Sequence, residues 1–375
     1  MNKKIKKDLF NRIPMEVHEQ EALKTEGLTF FQDSFRRMRQ SKTSMFALYT
    51  IVFIALMAIF GPMFNQYDYK TPVYNYHEGV AIRQTTKLPP RIKGLEKLGI
   101  FDGTTTRDIP AVAISMYNED EVDILDEFEQ NGQNMLKVRE YTYRYKDMED
   151  FYFWFGTDAL GRDLFTRLWS GARISLYIGL FAAVIDMVIG VTYGMIAGFL
   201  GGKVDLILMR IIEVIANIPS LVILIILMVI LSPGILTMSL AIGLTGWTGV
   251  ARVVRAQVLK LRGQEFVLAS KTLGASSSRM IFKHIFPNII GQIIVMATFS
   301  IPGAIFYEAF LSFIGLGLPA PIASLGVLIN KGREFIWSYV FLITVPTILI
   351  SILMLSINIM ANGLRDALDP KMRTK

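Results

Sequence analysis

The 375-residue sequence has no cysteine and only three histidines, His18, His77 and His284. Disulfides, thiolate chemistry and cysteine-ligated metals are excluded, and histidines so widely separated give no metal-ligand spacing. Neither HExxH nor GxxxxGK[ST] occurs, so the helical zinc-protease pattern and that kind of phosphate-cradling loop are missing as well. If nucleotide drives this chain, another subunit binds it. Charge is also scarce: 19% of residues are charged and 52% hydrophobic, whereas about a quarter of a soluble domain is charged. The 39 basic residues outnumber the 32 acidic ones, yet long uncharged runs separate them. The surplus therefore reads as membrane topology and not as a nucleic-acid surface.

What is present is a series of apolar runs. A helix needs about 20 apolar residues, at about 1.5 Å each, to cross a hydrocarbon core of about 30 Å. Thr43 to Tyr67 is uncharged and places a first span near Ser44 to Phe64. It follows a 42-residue tail and ends in Gly61-Pro62 without a small-x-small cleavage site, which fits a retained signal anchor. Ile174 to Gly202, interrupted only by Asp186, is the second span. Val214 to Ala251 is broken by Ser232-Pro233-Gly234 into a hairpin of two more. Ile285 to Tyr307 and Phe335 to Leu364 complete six. Between these last two, the Gly315 to Pro321 run makes uncharged Ala309 to Asn330 an interfacial or re-entrant segment. The expected fold class is an all-α polytopic membrane protein.

Lysine and arginine counts orient the spans. Residues 1–42 hold 10 basic and 6 acidic residues, and 252–283 hold 7 basic residues with Glu265 as the lone acid. Residues 65–173 hold 14 basic and 18 acidic. The positive-inside tendency then makes 1–42 a cytoplasmic tail, 43–64 the first helix, 65–170 extracellular, 171–364 the membrane core with a cytoplasmic connection at 252–287, and 365–375 a second cytoplasmic tail.

Outside the membrane, Leu28, Phe31, Phe35 and Met38 recur at helical spacing beside Arg36, Arg37 and Arg39, as in an interfacial helix on an anionic leaflet. Residues 1–24 suit a disordered basic tail. The extracellular segment alternates Val138, Tyr141, Tyr143 and Tyr145, carries an acidic cluster from Glu119 to Glu129, and has turn signals at Pro89-Pro90 and Asp102-Gly103. A small α+β module is expected, near the size at which a core becomes marginal. Leu160, Leu164, Phe165, Leu168 and Trp169, with Asp158/Arg162 and Asp163/Arg167 as i,i+4 pairs, suggest a surface helix leading into the second span.

Within the spans, Gly190, Gly194 and Gly198, and likewise Gly243, Gly246 and Gly249, permit close helix approach, whether inside this chain or against a partner. Ionisable groups in hydrocarbon are costly, so Asp186 and Glu308, with Asn217, are the candidates for lining a translocation path. Asp186 equally fits a buried structural hydrogen bond, and Glu308 the outer interface.

The connection after the fourth span reads EFVLASKTLGASSSRMIFKHIFPN, Glu265 to Asn288. Leu268, Ala269, Thr272 and Leu273 share a helical face, Gly274 suits a left-handed cap, Ser276 can cap a second helix, and Pro287 marks its end. Taken alone, this helix, turn, helix also fits a loop lying against lipid headgroups.

The segment resembles the EAA loop of ABC importer permeases, with Ser270 in place of that motif's second alanine. FGTDALGRDLFTR (155–167), SGARISL (170–176), IPSLVIL (218–224), GWTGVARVVRAQVLKLRGQEFV (246–267) and EAFLSFIGLG (308–317) are similar to the C-type permeases of oligopeptide and dipeptide importers. LPPRIKGLEKLGIFDG (88–103) is similar to variants from Gram-positive bacteria. The resemblance implies the type I importer permease fold of six helices, with the α+β insertion between the first two. It also implies docking of an ATPase by Glu265, Ala269, Ser270, Leu273, Gly274, Ala275, His284 and Pro287. The partners it implies are a B-type permease, two ATPases that bind ATP and magnesium, and a lipid-anchored extracellular peptide-binding protein. The chain itself would be a non-enzymatic subunit, without a cofactor or nucleic-acid partner, in a bacterial plasma membrane. Dipeptides, a nickel chelate, a sugar or a peptide pheromone are alternative cargoes. An ion-coupled secondary transporter using Asp186, Glu213 and Glu308 is the alternative of a different class.

Overall fold

The computed structural model describes residues 30–77 and 80–368. The expectations for residues 1–29, Leu28 and the basic tail included, and for 369–375 lie outside the described residues, as does the side chain of Phe31.

Among the described residues, ten helices of two or more turns form the frame. Helix α1 (Phe30–Gln40) and α2 (Lys42–Phe60) meet at Ser41, whose hydroxyl accepts from the Ser44 amide at 3.4 Å and caps α2. After the external segment come α3 (Leu164–Leu200), α4 (Gly202–Ala216), α5 (Ser220–Leu231) and α6 (Ile235–Arg262). The short α7 (Glu265–Thr272) leads to α8 (Ser277–Phe313), α9 (Leu325–Arg333) and α10 (Phe341–Leu368). Lys42–Phe64, α3, α8 and α10 are long and apolar enough to cross a membrane, and α4 with α5 makes a fifth such segment, bent by 80°. Helix α6 is the sixth of the expected bundle. Its apolar part stops at Ala251, and Arg252, Arg255, Lys260 and Arg262 occupy the remainder, so it falls short on apolar length alone.

The most extensive packing in the bundle joins α3 to α6. A Cβ on Gly190 would lie 2.6 Å from Val250 Cβ, one on Gly194 2.5 Å from the Ala251 carbonyl oxygen, and one on Gly198 2.8 Å from Val258 Cβ. The glycine stripe is therefore filled from within the chain, as small residues allow where burial from water does not drive association. A second core joins Ile54 and Ala58 of α2 with Leu164, Phe165, Leu168 and Trp169 of α3 and Leu342, Leu349 and Leu353 of α10.

That core corrects the expected surface helix before the second span. Leu164 to Trp169 belong to α3 itself and are buried, while Leu160 lies outside the helix and is exposed. Asp163 does not pair with Arg167. It caps α3 by accepting from the Thr166 amide at 2.7 Å, and Arg167 turns instead to Asp158 at 3.2 Å, which also holds Arg162 at 2.7 Å. The last helix starts at Phe341 and not at Phe335. Between α8 and α10, Gly315 reverses the chain at φ +88°, and α9 packs on α3, α8 and α10.

The external segment contains a β1–β2 ribbon (Tyr74–His77, Val80–Gln84) and an antiparallel sheet of order β3-β5-β4 (Thr104–Pro110, Gln133–Tyr141, Val122–Gln130). Asn131 and Gly132, both at positive φ, close the β4–β5 hairpin, whose twist that turn matches. Tyr143 and Tyr145 do not continue the alternation of β5: they fall in a helical turn, where Tyr143 joins Leu88, Met148 and Phe153 in a small core. On α1, Ser34 and Met38 are buried and Phe35 is exposed.

Candidate functional site

The loop between α6 and α8 is built around one turn. Helix α7 ends with the Gly274 amide donating to the Lys271 carbonyl at 3.0 Å and the Ala275 amide to the Ser270 carbonyl at 3.1 Å, with Gly274 at φ +80°. These two bonds form a Schellman stop, which needs a left-handed residue where Gly274 stands. Ser276 then caps α8, accepting from the Arg279 amide at 3.3 Å. Pro287 does not end a second short helix. The chain passes through a π-helical stretch, Ile281–Ile285, and continues as α8, with Pro287 in the first turn of the regular helix where its missing N–H is tolerated.

Val267, Met280, Ile285 and Ile289 anchor the loop against Val254 and Val258 of α6. Ser270 Oγ and His284 Nε2 lie 3.3 Å apart and tie α7 to α8. Of the eight expected docking residues, Glu265, Ala269, Leu273, Gly274 and Pro287 are exposed, and Ser270, Ala275 and His284 are half-buried. Leu273 is 88% exposed, Phe282 65% and Phe266 44%, beside Lys271, Arg279 and Lys283. A fixed, apolar, basic-rimmed surface of this kind suits protein docking. Phe266 and Phe282 extend the surface beyond the residues expected from sequence. Their signal is an aromatic ring directly beside a charged residue, Glu265 and Lys283 respectively.

The three candidates for a translocation path occupy different settings. Glu308 is fully buried and receives hydrogen bonds from Ser175 of α3 at 2.9 Å, Ser312 at 3.0 Å and Ser324 at 2.5 Å. Asp186 is buried between α3 and α6, where its carboxylate occupies space left by Gly246: a Cβ there would fall 2.3 Å from Oδ2. Among the described residues its Oδ1 has no close hydrogen-bond partner, and the Ser300 hydroxyl is the polar group nearest to hand for the carboxylate. Asn217 is exposed at the end of α4, donating from Nδ2 to the Glu213 carbonyl at 2.8 Å.

The fold is that of a polytopic helical membrane protein with a rigid, exposed loop between α6 and α8. Residues 190–374 match the family described as binding-protein-dependent transport system inner membrane component, and residues 29–90 match the N-terminal TM domain of oligopeptide transport permease C. The chain is 39% identical to the oligopeptide transport system permease protein OppC of Bacillus subtilis over 98% of this chain and 99% of that one. It is 38% identical to the dipeptide permease DppC of the same organism over 95% and 90%, and 31% identical to OppC of Escherichia coli over 94% and 95%. The chain belongs to this family of permeases. Among solved structures, a chain of the MetNI methionine ABC transporter in an inward-facing conformation aligns at 18% identity with a TM-score of 0.46, covering 54% of this chain and 96% of that one.

Proposed function

We propose that this chain is the C-type translocation subunit of an ATP-driven importer that takes up oligopeptides delivered by an extracellular binding protein. The near end-to-end identity to permeases named for oligopeptide and dipeptide transport carries the reading. In it, a B-type permease pairs with this chain, and two separate ATPase subunits bind ATP and magnesium and dock on Glu265, Ala269, Ser270, Leu273, Gly274, Ala275, His284 and Pro287. Support comes from the rigidity of the loop: a Schellman turn, a capped helix and the Val267 anchor transmit a push that a slack loop would absorb. The chain sits in the plasma membrane of a Gram-positive bacterium with both termini inside and the 65–170 segment outside, where its acidic cluster serves the binding protein.

Uptake of labelled peptide tests the energy source. Import by cells carrying this chain should stop on ATP depletion and persist under a protonophore while ATP is maintained. The reverse pattern would establish an ion-coupled transporter. Sidedness has its own test, because the chain has no cysteine of its own. Single cysteines at Ser115 and Ser277, both exposed, should react with an impermeant thiol reagent on intact cells and only after lysis, respectively. Labelling of both on intact cells overturns the topology.

A further inference from the structure

The α4–α5 elbow combines features that hydrocarbon does not tolerate. The two helices together have the apolar character and length of one span, yet they bend by 80° at Asn217-Ile218-Pro219, and all three of these residues are exposed. Irregular backbone at membrane depth persists only where protein covers it or water reaches it. Arg210 and Glu213 add to the difficulty. They pair at 2.8 Å while remaining 72% and 53% exposed, and Asn217 extends them into a stripe at i, i+3 and i+7 along α4. Arg210 lies eight residues beyond Gly202, or about 12 Å along the helix axis. Asp205, in the first turn of α4, pairs with Arg255 in the charged end of α6, so Arg210 and Glu213 lie nearer that end and Asn217, twelve residues past Asp205 or about 18 Å along the axis, lies deepest.

The geometry points to the α4–α5 elbow, with Arg210, Glu213 and Asn217, as a wall of the water-filled passage traversed by the peptide. This deepens the proposed importer reading and rests on it for the identity of the cargo. The chemistry matches an unmodified peptide, which carries an ammonium, a carboxylate and a string of amides. The wall offers a carboxylate, a guanidinium and a carboxamide beside a shallow groove of about 360 Å³ lined by Leu206, Ile207, Ile211, Val214 and Ile215 with Arg210. Because Arg210 and Glu213 neutralise each other, neither end of a peptide meets an uncompensated opposite charge that would hold it. A passage must bind weakly enough to release.

The test uses the assembled transporter in vesicles, with single cysteines at Arg210, Glu213 and Asn217 and a control at Val188, an exposed apolar position on α3. Modification of this chain by a cationic methanethiosulfonate reagent is followed by mass, with and without ATP plus vanadate. Cysteines at Glu213 and Asn217 should react at least about tenfold faster than the Val188→Cys control, and trapping should change their rates; tenfold corresponds to about 1.4 kcal/mol. Rates equal to the control place the elbow against lipid and overturn the proposal. Protection together with loss of the second permease on purification makes the elbow a subunit interface, which also overturns it. Charge selection gives an independent readout. Glu213→Gln should slow acidic penta-peptides relative to basic ones by up to about fivefold, the upper worth of an exposed ion pair, and Arg210→Gln should do the opposite. Equal effects of both variants on both peptides overturn the proposal. Uptake of penta-alanine by the cysteine-free parent is scored separately: its failure would count against the peptide cargo, while the accessibility pattern still decides whether the elbow faces water.

Discussion

Ser175 of α3 donates a hydrogen bond at 2.9 Å to Glu308 of α8, a carboxylate with no exposed surface. Ser324, which caps α9, donates to the same side chain, so one residue fastens three helices. Removing the carboxylate would strand three buried hydroxyls, each costing about 1–3 kcal/mol if left unpaired. Glu308→Ala should therefore lower the melting temperature of the detergent-solubilised chain by many degrees, and Glu308→Gln, which keeps an acceptor, by less. Equal melting of all three proteins would show that the network contributes nothing.

The junction between the external segment and α3 invites a parallel test. Arg167 is 2% exposed, donates to the Tyr69 carbonyl at 2.8 Å and meets Asp158 at 3.2 Å. Breaking such a buried pair from one side leaves an uncompensated charge and costs about 3–5 kcal/mol. Arg167→Ala should lower yield and melting temperature strongly, and the Asp158→Ala/Arg167→Ala double variant should lose less than the two single losses combined. Strict additivity would mean that the two side chains do not interact.

These two clusters also mark the limit of what could be read along the chain. Uninterrupted apolar runs located the spans, and a glycine between two short amphipathic stretches located the α7 turn, because both signals are local. Glu308 read equally well as an interfacial residue, since its partners Ser175 and Ser324 come from separate helices and only folding assembles them. Arg167 and Asp163 looked like one surface pair at i,i+4 spacing. Asp163 was instead drawn to the free amides at the start of α3, leaving Arg167 to Asp158. The elbow at Asn217 was equally hidden. Pro219 signals a break, but a bend of 80° depends on what packs around it. The turn signals expected from sequence were Pro89-Pro90 and Asp102-Gly103, whereas the β4–β5 hairpin closes at Asn131-Gly132.

Asp163 predicts a pH dependence. Burial pushes its carboxyl up to about 6 from 3.8, against the opposing pull of hydrogen bonds from Thr166. Between these values the folded chain holds a proton that the unfolded chain releases. Stability from this group is therefore greatest at low pH, falls as pH rises from about 4 to 6, and is level above that, a change of roughly 2–3 kcal/mol. Asn also caps helices well, so Asp163→Asn should remove this slope without unfolding α3. Melting curves from pH 4 to 7 that keep the same slope in the variant would assign the dependence to other groups.

Gly274 gives the most direct test of coupling. At φ +80° it closes the stop of α7, and a Cβ added there would have no atom within 4 Å. The penalty for a side chain is accordingly one of backbone conformation and not of collision, roughly 1 kcal/mol, larger for a β-branched residue and smaller for asparagine. Relief of that strain would rotate α7 relative to α8, re-aiming exposed Leu273 and Phe266 and loosening Val267 from Met280 and Ile285. Gly274→Val should thus leave the chain inserted and paired with its second permease, while uptake of labelled penta-alanine falls and the ATPases co-purify poorly or hydrolyse ATP without regard to loaded binding protein. Gly274→Asn should retain most uptake. Glu265→Ala should act in the same direction as Gly274→Val but more mildly, since it removes one exposed contact without re-aiming a helix. Normal uptake and normal ATPase retention in Gly274→Val would mean that the loop between α6 and α8 is not where force enters the membrane.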